Sequence, residues 1–120
     1  MMSSLDCYQE TAVTTQNKSR LIIMLYEGAI KFLNQAIVAM EVEEYSKKGR
    51  LLSNAQEIIL ELNLVLNVDE GGEISKNLRS LYNYMWSRLA VANNKCDPLL
   101  VREVIELLEY LKEGFNTISV

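Results

Sequence analysis

The residue types that carry most enzymatic and metal chemistry are scarce in this sequence. It contains no histidine and only two cysteines, Cys7 and Cys96. Without histidine, Ser-His-Asp and Cys-His catalysis, imidazole zinc sites and the Glu-x-x-His motif of di-iron bundles are excluded. Two cysteines are too few for a disulfide framework or a four-cysteine metal cluster, so we interpret both as reduced, partly buried thiols. We therefore predict a protein that is not an enzyme and that holds no metal or cofactor.

Phosphate groups are unfavourable partners for this chain. Its formal net charge is −4, and its basic cluster within residues 47–50 is short and follows two glutamates. Nucleic-acid binding depends on neutralising many backbone phosphates, which an acidic surface does poorly. Gly71 and Gly72 precede Glu73, where a phosphate-binding loop needs backbone amides, a lysine and a hydroxyl. We predict no nucleic-acid binding, and we interpret the two glycines as a turn.

Length and composition predict one globular domain in the cytoplasm. The chain has 120 residues, of which 49% are hydrophobic and 23% are charged, an ordinary composition for a single core. No apolar run approaches the roughly 18 residues that a membrane span needs. Residues 1–4 also lack the basic start and apolar run of a secretory signal. We expect no membrane insertion.

Four segments repeat apolar residues at steps of three and four, which is the period of an amphipathic helix. We predict helices over about 17–40, 46–67 and 73–93 and from Pro98 onward, with Asn17 and Asp97 as N-caps. Short connections make neighbouring helices antiparallel. The predicted fold is therefore all-α, an antiparallel up-down-up-down four-helix bundle over residues 17–120, preceded by an N-terminal arm over residues 1–16. The predicted core stripe of the third helix comprises Ile74, Leu78, Leu81, Tyr82, Met85, Leu89 and Ala92.

The second helix carries more apolar residues than one core stripe requires. With Leu62 at the centre of the core face, Leu60 and Leu64 project about 160° to either side, and Val68 follows at the next step of four. Leaving such side chains in water forgoes about 1.5–3 kcal/mol each. We therefore expect a cover, which is either the N-terminal arm, a second copy of the chain, or an apolar partner segment seated in a groove.

The first and third helices show the same excess more weakly. Ile23 and Ile30 lie about 100–120° from the core centre of the first helix, and Tyr84 and Trp86 lie beside the stripe of the third. These four residues fit either a partner surface or ordinary boundaries between helices.

Four blocks of the sequence resemble the flagellin-specific secretion chaperone family. Residues 21–30, Leu-Ile-Ile-Met-Leu-Tyr-Glu-Gly-Ala-Ile, are similar to its signature Leu-Ile-x-Met-Leu-Tyr-Asp-Gly-Ala-Ile. Residues 71–85 resemble its Gly-Gly-Glu-Ile-x-x-Asn-Leu-x-x-Leu-Tyr-Asp-Tyr-Met, and Leu89 with Ala92-Asn93 follows at the family spacing. Tyr8, Val13 and Thr15 resemble its N-terminal block. The chain departs from the family pattern at residues 16–18, where Gln-Asn-Lys replaces Ala-Ser-Pro, and at residues 114–115, where Gly-Phe replaces Ala-Trp.

The resemblance implies a cytoplasmic export chaperone that binds the disordered C-terminal segment of flagellin. Such a protein prevents premature polymerisation of its cargo and delivers it to the cytoplasmic domain of the flagellar export gate. It is expected to be a monomer when free and to bind its cargo 1:1, with the cargo segment becoming helical. The candidate flagellin contacts are Ile23, Tyr26, Ile30, Leu60, Leu64, Val68, Tyr82 and Trp86.

The resemblance also assigns a role to the N-terminal arm. Leu5, Tyr8 and Val13 are expected to dock at the export gate or to cover the cargo groove in the free protein. The alternative function, of a different class, is a structural bundle subunit that forms homo-oligomers through Leu60 and Leu64. A subunit of that kind changes its mass with concentration, without any added peptide.

Overall fold

The protein folds into four helices in a computed structural model that describes residues 15–66 and 68–118, with side chains over 18–66 and 71–115. Helix α1 runs over Thr15–Glu41, α2 over Tyr45–Val65, α3 over Val68–Lys95 and α4 over Pro98–Ile118. The predicted all-α fold is confirmed.

The helices form a closed ring in which each packs on two neighbours. Helix α1 contacts α2 and α4, and α3 contacts the same two helices, while the backbones of diagonal pairs stay apart among the described residues. The Lys48 ammonium donates to the Asn93 carbonyl over 3.0 Å, and the Gln56 amide donates to the Trp86 carbonyl over 3.0 Å. Residue numbers therefore rise along α2 while they fall along α3, which makes this pair antiparallel.

The core fills the centre of the ring, and α1 contributes most to it. Its buried side chains extend over more than one stripe because α1 packs on both α2 and α4: they are Tyr26, Ala29, Ile30, Leu33, Ala36, Ile37, Ala39 and Met40. Helix α2 approaches α1 closely at Gly28, where an added Cβ would lie 3.3 Å from the Ile58 Cδ1 atom. The glycine of the first signature block thus lies at the α1–α2 contact.

The predicted N-cap is confirmed for α4 and is wrong for α1. Asp97 caps α4, because its Oδ1 accepts the Leu99 amide over 3.0 Å, as the Asp-Pro pair predicts. Asn17 as the cap of α1 is wrong, since α1 already includes Thr15 and Asn17 lies inside the helix. Helix α1 begins earlier than predicted because its first residues are polar, and the spacing of apolar residues gives no signal there.

Helix α1 is more apolar than expected. Its stretch Lys18–Glu41 has a mean hydropathy of 1.4 and is long enough, by length and composition alone, to cross a membrane. Glu27 and Lys31 interrupt this stretch, so it is not an uninterrupted apolar run of the kind that the sequence analysis looked for. The buried side chains of α1 account for part of this composition, because a helix that packs on two neighbours buries a wider apolar face than a single stripe.

The glycine pair before Glu73 interrupts α3, because the backbone at Gly72 is not helical. Gly72 has φ 58° and ψ −131°, a conformation that is almost restricted to glycine. A Cβ on Gly71 would lie 1.6 Å from the Ser75 Oγ atom, and Ser75 is buried. Ile74 as a core residue is wrong: it is 73% exposed, because it lies in the first turn after the kink, at the end of the bundle.

We expect Gly72→Ala to destabilise the protein by about 1–2 kcal/mol, because a Cβ is strained at this φ. Gly49→Ala is the matched control: Gly49 is inside α2 and an added Cβ there meets nothing within 4 Å. The control is expected to raise stability by up to about 1 kcal/mol through helix propensity. Urea denaturation measures both variants, and equal effects of the two would contradict the kink.

Candidate functional site

The extra apolar residues of α2 face outward. Leu60 is 50% exposed and Leu64 is 77% exposed, while Leu62 between them is buried in the core. The predicted orientation of both leucines is confirmed. The side chain of Val68, predicted to continue this line, lies outside the described residues.

Trp86 lies on α3, at the point where α3 packs against this half of α2. The Gln56 amide, one turn before Leu60, donates to the Trp86 carbonyl, and the Trp86 side chain is 39% exposed. The Asn63 amide donates to the Asn83 side-chain oxygen over 3.1 Å. We call the surface formed by Leu60, Leu64 and Trp86 the apolar strip, and the two hydrogen bonds hold its two helices in register.

The sequence reasoning did not identify the amides that support the strip. Gln56 and Asn63 are seven residues apart on α2, a spacing that places them on one flank of the helix. That spacing was the available signal, and it indicates a polar contact with a neighbouring helix. Their hydrogen bonds involve a backbone carbonyl and an amide on α3.

Three of the predicted flagellin contacts are core residues. Tyr26, Ile30 and Tyr82 are buried, which contradicts a place for them on an exposed groove. The Tyr26 and Tyr82 hydroxyls share a hydrogen bond of 2.5 Å, and the Phe115 ring lies 5.6 Å from the Tyr26 ring. Each hydroxyl gives the other the hydrogen-bond partner that a buried polar group needs. The tyrosine side chains therefore link α1 to α3 across the core. Ile23 is half-buried.

Burial changes the acidity of this tyrosine pair. Removal from water raises the pKa of both the Tyr26 and Tyr82 hydroxyls above the ordinary value of about 10. The neighbouring Tyr82 also raises the pKa of Tyr26. A phenol with a raised pKa in the folded state stabilises the fold below the unfolded-state pKa and loses that contribution as pH rises above it. The pair therefore favours the folded protein up to about pH 10.

Tyr84, the other aromatic residue beside the core stripe of α3, forms its side-chain hydrogen bond with α4, whereas the Trp86 carbonyl accepts a hydrogen bond from α2. Its hydroxyl donates to Glu103 Oε2 on α4, and the Arg88 Nε atom donates to Glu103 Oε1 over 2.8 Å. These two hydrogen bonds lower the pKa of the Glu103 carboxyl below its ordinary value. Tyr84 thus belongs to the α3–α4 boundary, one of the two alternatives that its position left open.

The described residues present little chemistry besides apolar contact and hydrogen bonding. Among them there is no group of three or more histidine, cysteine, aspartate or glutamate residues that could hold a metal ion. Cys96 is a free thiol that is partly buried, and Cys7 lies outside the described residues. Leu5, Tyr8 and Val13, assigned to gate docking or to covering the groove, also lie outside them.

Comparison with known proteins identifies the family. The family model for the flagellar protein FliS matches residues 1–120 of the chain. The chain belongs to the FliS family. It is 39% identical over 122 residues to the flagellar secretion chaperone FliSB of Pseudomonas aeruginosa, covering 98% of this chain and 97% of that protein.

Further FliS relatives match over most of their length. The flagellar secretion chaperone FliS of Vibrio cholerae is 34% identical, covering 98% of this chain and 90% of the relative. The FliS chaperone of Salmonella typhimurium is 39% identical, with coverages of 92% and 82%. These FliS proteins are named as chaperones and not as enzymes, which agrees with the absence of catalytic motifs from the sequence. Membership of the family confirms the resemblance drawn from the four sequence blocks.

Proposed function

We propose that this protein binds the C-terminal segment of flagellin on the apolar strip, keeps it from polymerising and delivers it to the flagellar export gate. The observation that carries the proposal is the exposure of Leu60, Leu64 and Trp86 on one side of a bundle whose core is already complete. A single line of outward leucines on a helix suits an amphipathic partner helix with apolar residues at steps of three and four.

The cargo must be released at the export gate, and a binding mode of limited affinity favours a chaperone over a permanent assembly. A cargo segment that is disordered alone and folds on the strip loses conformational entropy when it binds, which limits its affinity. We infer that the free protein is a cytoplasmic monomer that binds one cargo segment. We also infer that Leu5, Tyr8 and Val13 dock at the export gate or cover the strip before cargo arrives. The family membership supports these roles.

The test is a titration with a peptide of the flagellin C-terminal segment. We expect a 1:1 complex by calorimetry and a helical circular dichroism signal larger than the sum of the two free components. The increase follows because the strip offers apolar contacts at helical spacing. Binding without a gain in helix would contradict the proposed mode.

The homo-oligomeric alternative is tested in the same samples. Light scattering of the free protein is expected to give the mass of one chain at every concentration. A mass that rises with concentration, together with no response to the peptide, would favour a structural subunit that covers Leu60 and Leu64 with a second copy.

A further inference from the structure

The first half of α2 carries a second surface feature, at the opposite end of the helix from the apolar strip. A cavity of about 490 Å³ opens there, and its lining includes Tyr45, Lys47, Gly49, Arg50 and Ser53. No acidic residue lines it. Gly49 leaves room in the lining, since an added Cβ would meet nothing within 4 Å.

Part of the cavity lining lies on the same face of α2 as the two leucines of the apolar strip. At 100° per residue, Gly49, Ser53, Leu60 and Leu64 fall within about 60° of one another on the side away from the core. Arg50 lies about 40° beyond Leu64 around the helix, and Lys47 lies about 100° beyond it. Gly49 and Leu64 are 15 positions apart, which corresponds to about 22 Å along the helix. One helical or extended segment of ordinary length therefore reaches both features.

The cations at the cavity are available to a partner. Lys47 approaches Glu44 at 3.9 Å with both side chains more than half exposed, an ion pair that contributes little. Arg50 forms no ion pair within residues 18–66 and 71–115. Lys48 differs, because its ammonium is buried against the Asn93 carbonyl. Two exposed positive side chains thus line a concave site on a protein with a net charge of −4.

We propose that the cargo segment runs along most of the length of α2 and places an acidic residue in this cavity, between Lys47 and Arg50. This inference rests on the proposed function, and it adds an electrostatic contact to the apolar one. The apolar strip binds the hydrophobic side chains of the segment, and the basic cavity fixes its position and direction along the helix. An acidic side chain fits the site because its charge complements the two cations. The carboxylates of Glu43 and Glu44 lie outside the lining and already contact Tyr45 and Lys47.

The experiment compares charge variants in the peptide titration. Lys47→Glu combined with Arg50→Glu is expected to weaken binding about five- to tenfold at low salt, since each exposed pair is worth a modest amount and reversal makes it repulsive. Lys47→Gln combined with Arg50→Gln should show a smaller loss in the same direction. Raising the salt concentration should weaken binding by the unmodified protein and reduce its advantage over both variants.

The matched control is Lys31→Glu combined with Arg102→Glu. Both residues are exposed, on α1 and α4, and the change in net charge is the same. The control should bind like the unmodified protein, and a loss equal to that of the cavity variant would overturn the proposal.

Failure of this inference is distinguishable from failure of the proposed function. Unchanged affinity in the cavity variants, with binding lost in a variant of Leu60 and Leu64, would overturn the acidic contact alone. Unchanged affinity in both sets would overturn the apolar strip as the cargo site, and this inference with it, while no binding of the peptide to the unmodified protein would overturn the proposed function itself.

Discussion

Leu60→Asp combined with Leu64→Asp is expected to abolish binding of the flagellin peptide while the protein stays folded. Both side chains project into water, so the new carboxylates remain hydrated in the free protein. In a complex they would be buried against apolar cargo without a partner, which costs several kcal/mol for each charge. Calorimetry with the peptide should show no binding at concentrations that saturate the unmodified protein.

A matched control separates this effect from a general effect of charge. Val38→Asp combined with Leu99→Asp changes two exposed apolar residues on α1 and α4, away from the apolar strip, and adds the same charge. The control is expected to bind the peptide with ordinary affinity. Loss of binding in both double variants would point to net charge, and unfolding of the first variant by circular dichroism would contradict the outward orientation of the two leucines.

The sequence was sufficient to predict the four helices and the outward leucines because both follow from a local period. Leu60 and Leu64 lie far from Leu62 around the helix, on the side that faces away from the core. Ile30 is a different case, since it lies on a flank whose burial depends on which helix packs there. Helix α1 contacts both α2 and α4, so that flank is enclosed.

The tyrosines show a second limit of sequence reasoning. Tyr26 and Tyr82 are 56 positions apart, and a buried phenol is acceptable only if its hydroxyl finds a partner. The spacing of apolar residues in either helix does not identify that hydrogen-bond partner. Gly72 shows the converse, because a glycine pair indicates an unusual backbone but does not say whether a loop or a kink within one helix will form.

The buried tyrosine pair leads to the second large effect, on stability. We expect Tyr26→Phe to destabilise the protein by about 1–3 kcal/mol, because it leaves the Tyr82 hydroxyl buried without its partner. Tyr82→Phe should have a similar effect for the same reason. The double variant should be less destabilised than the sum of the two, because it removes both hydroxyls and leaves no phenol unpaired.

Urea denaturation of the four proteins measures this coupling, and Tyr110→Phe is the control. Tyr110 is 78% exposed, so its change should stay within about 0.5 kcal/mol. Additive losses in the double variant would contradict the hydrogen bond between the two phenols. The peptide titration adds an independent reading, because core residues should leave the affinity for flagellin unchanged as long as the variants are folded. A loss of affinity without a loss of stability would indicate that Tyr26 and Tyr82 contact the cargo directly, as the resemblance to the family implies.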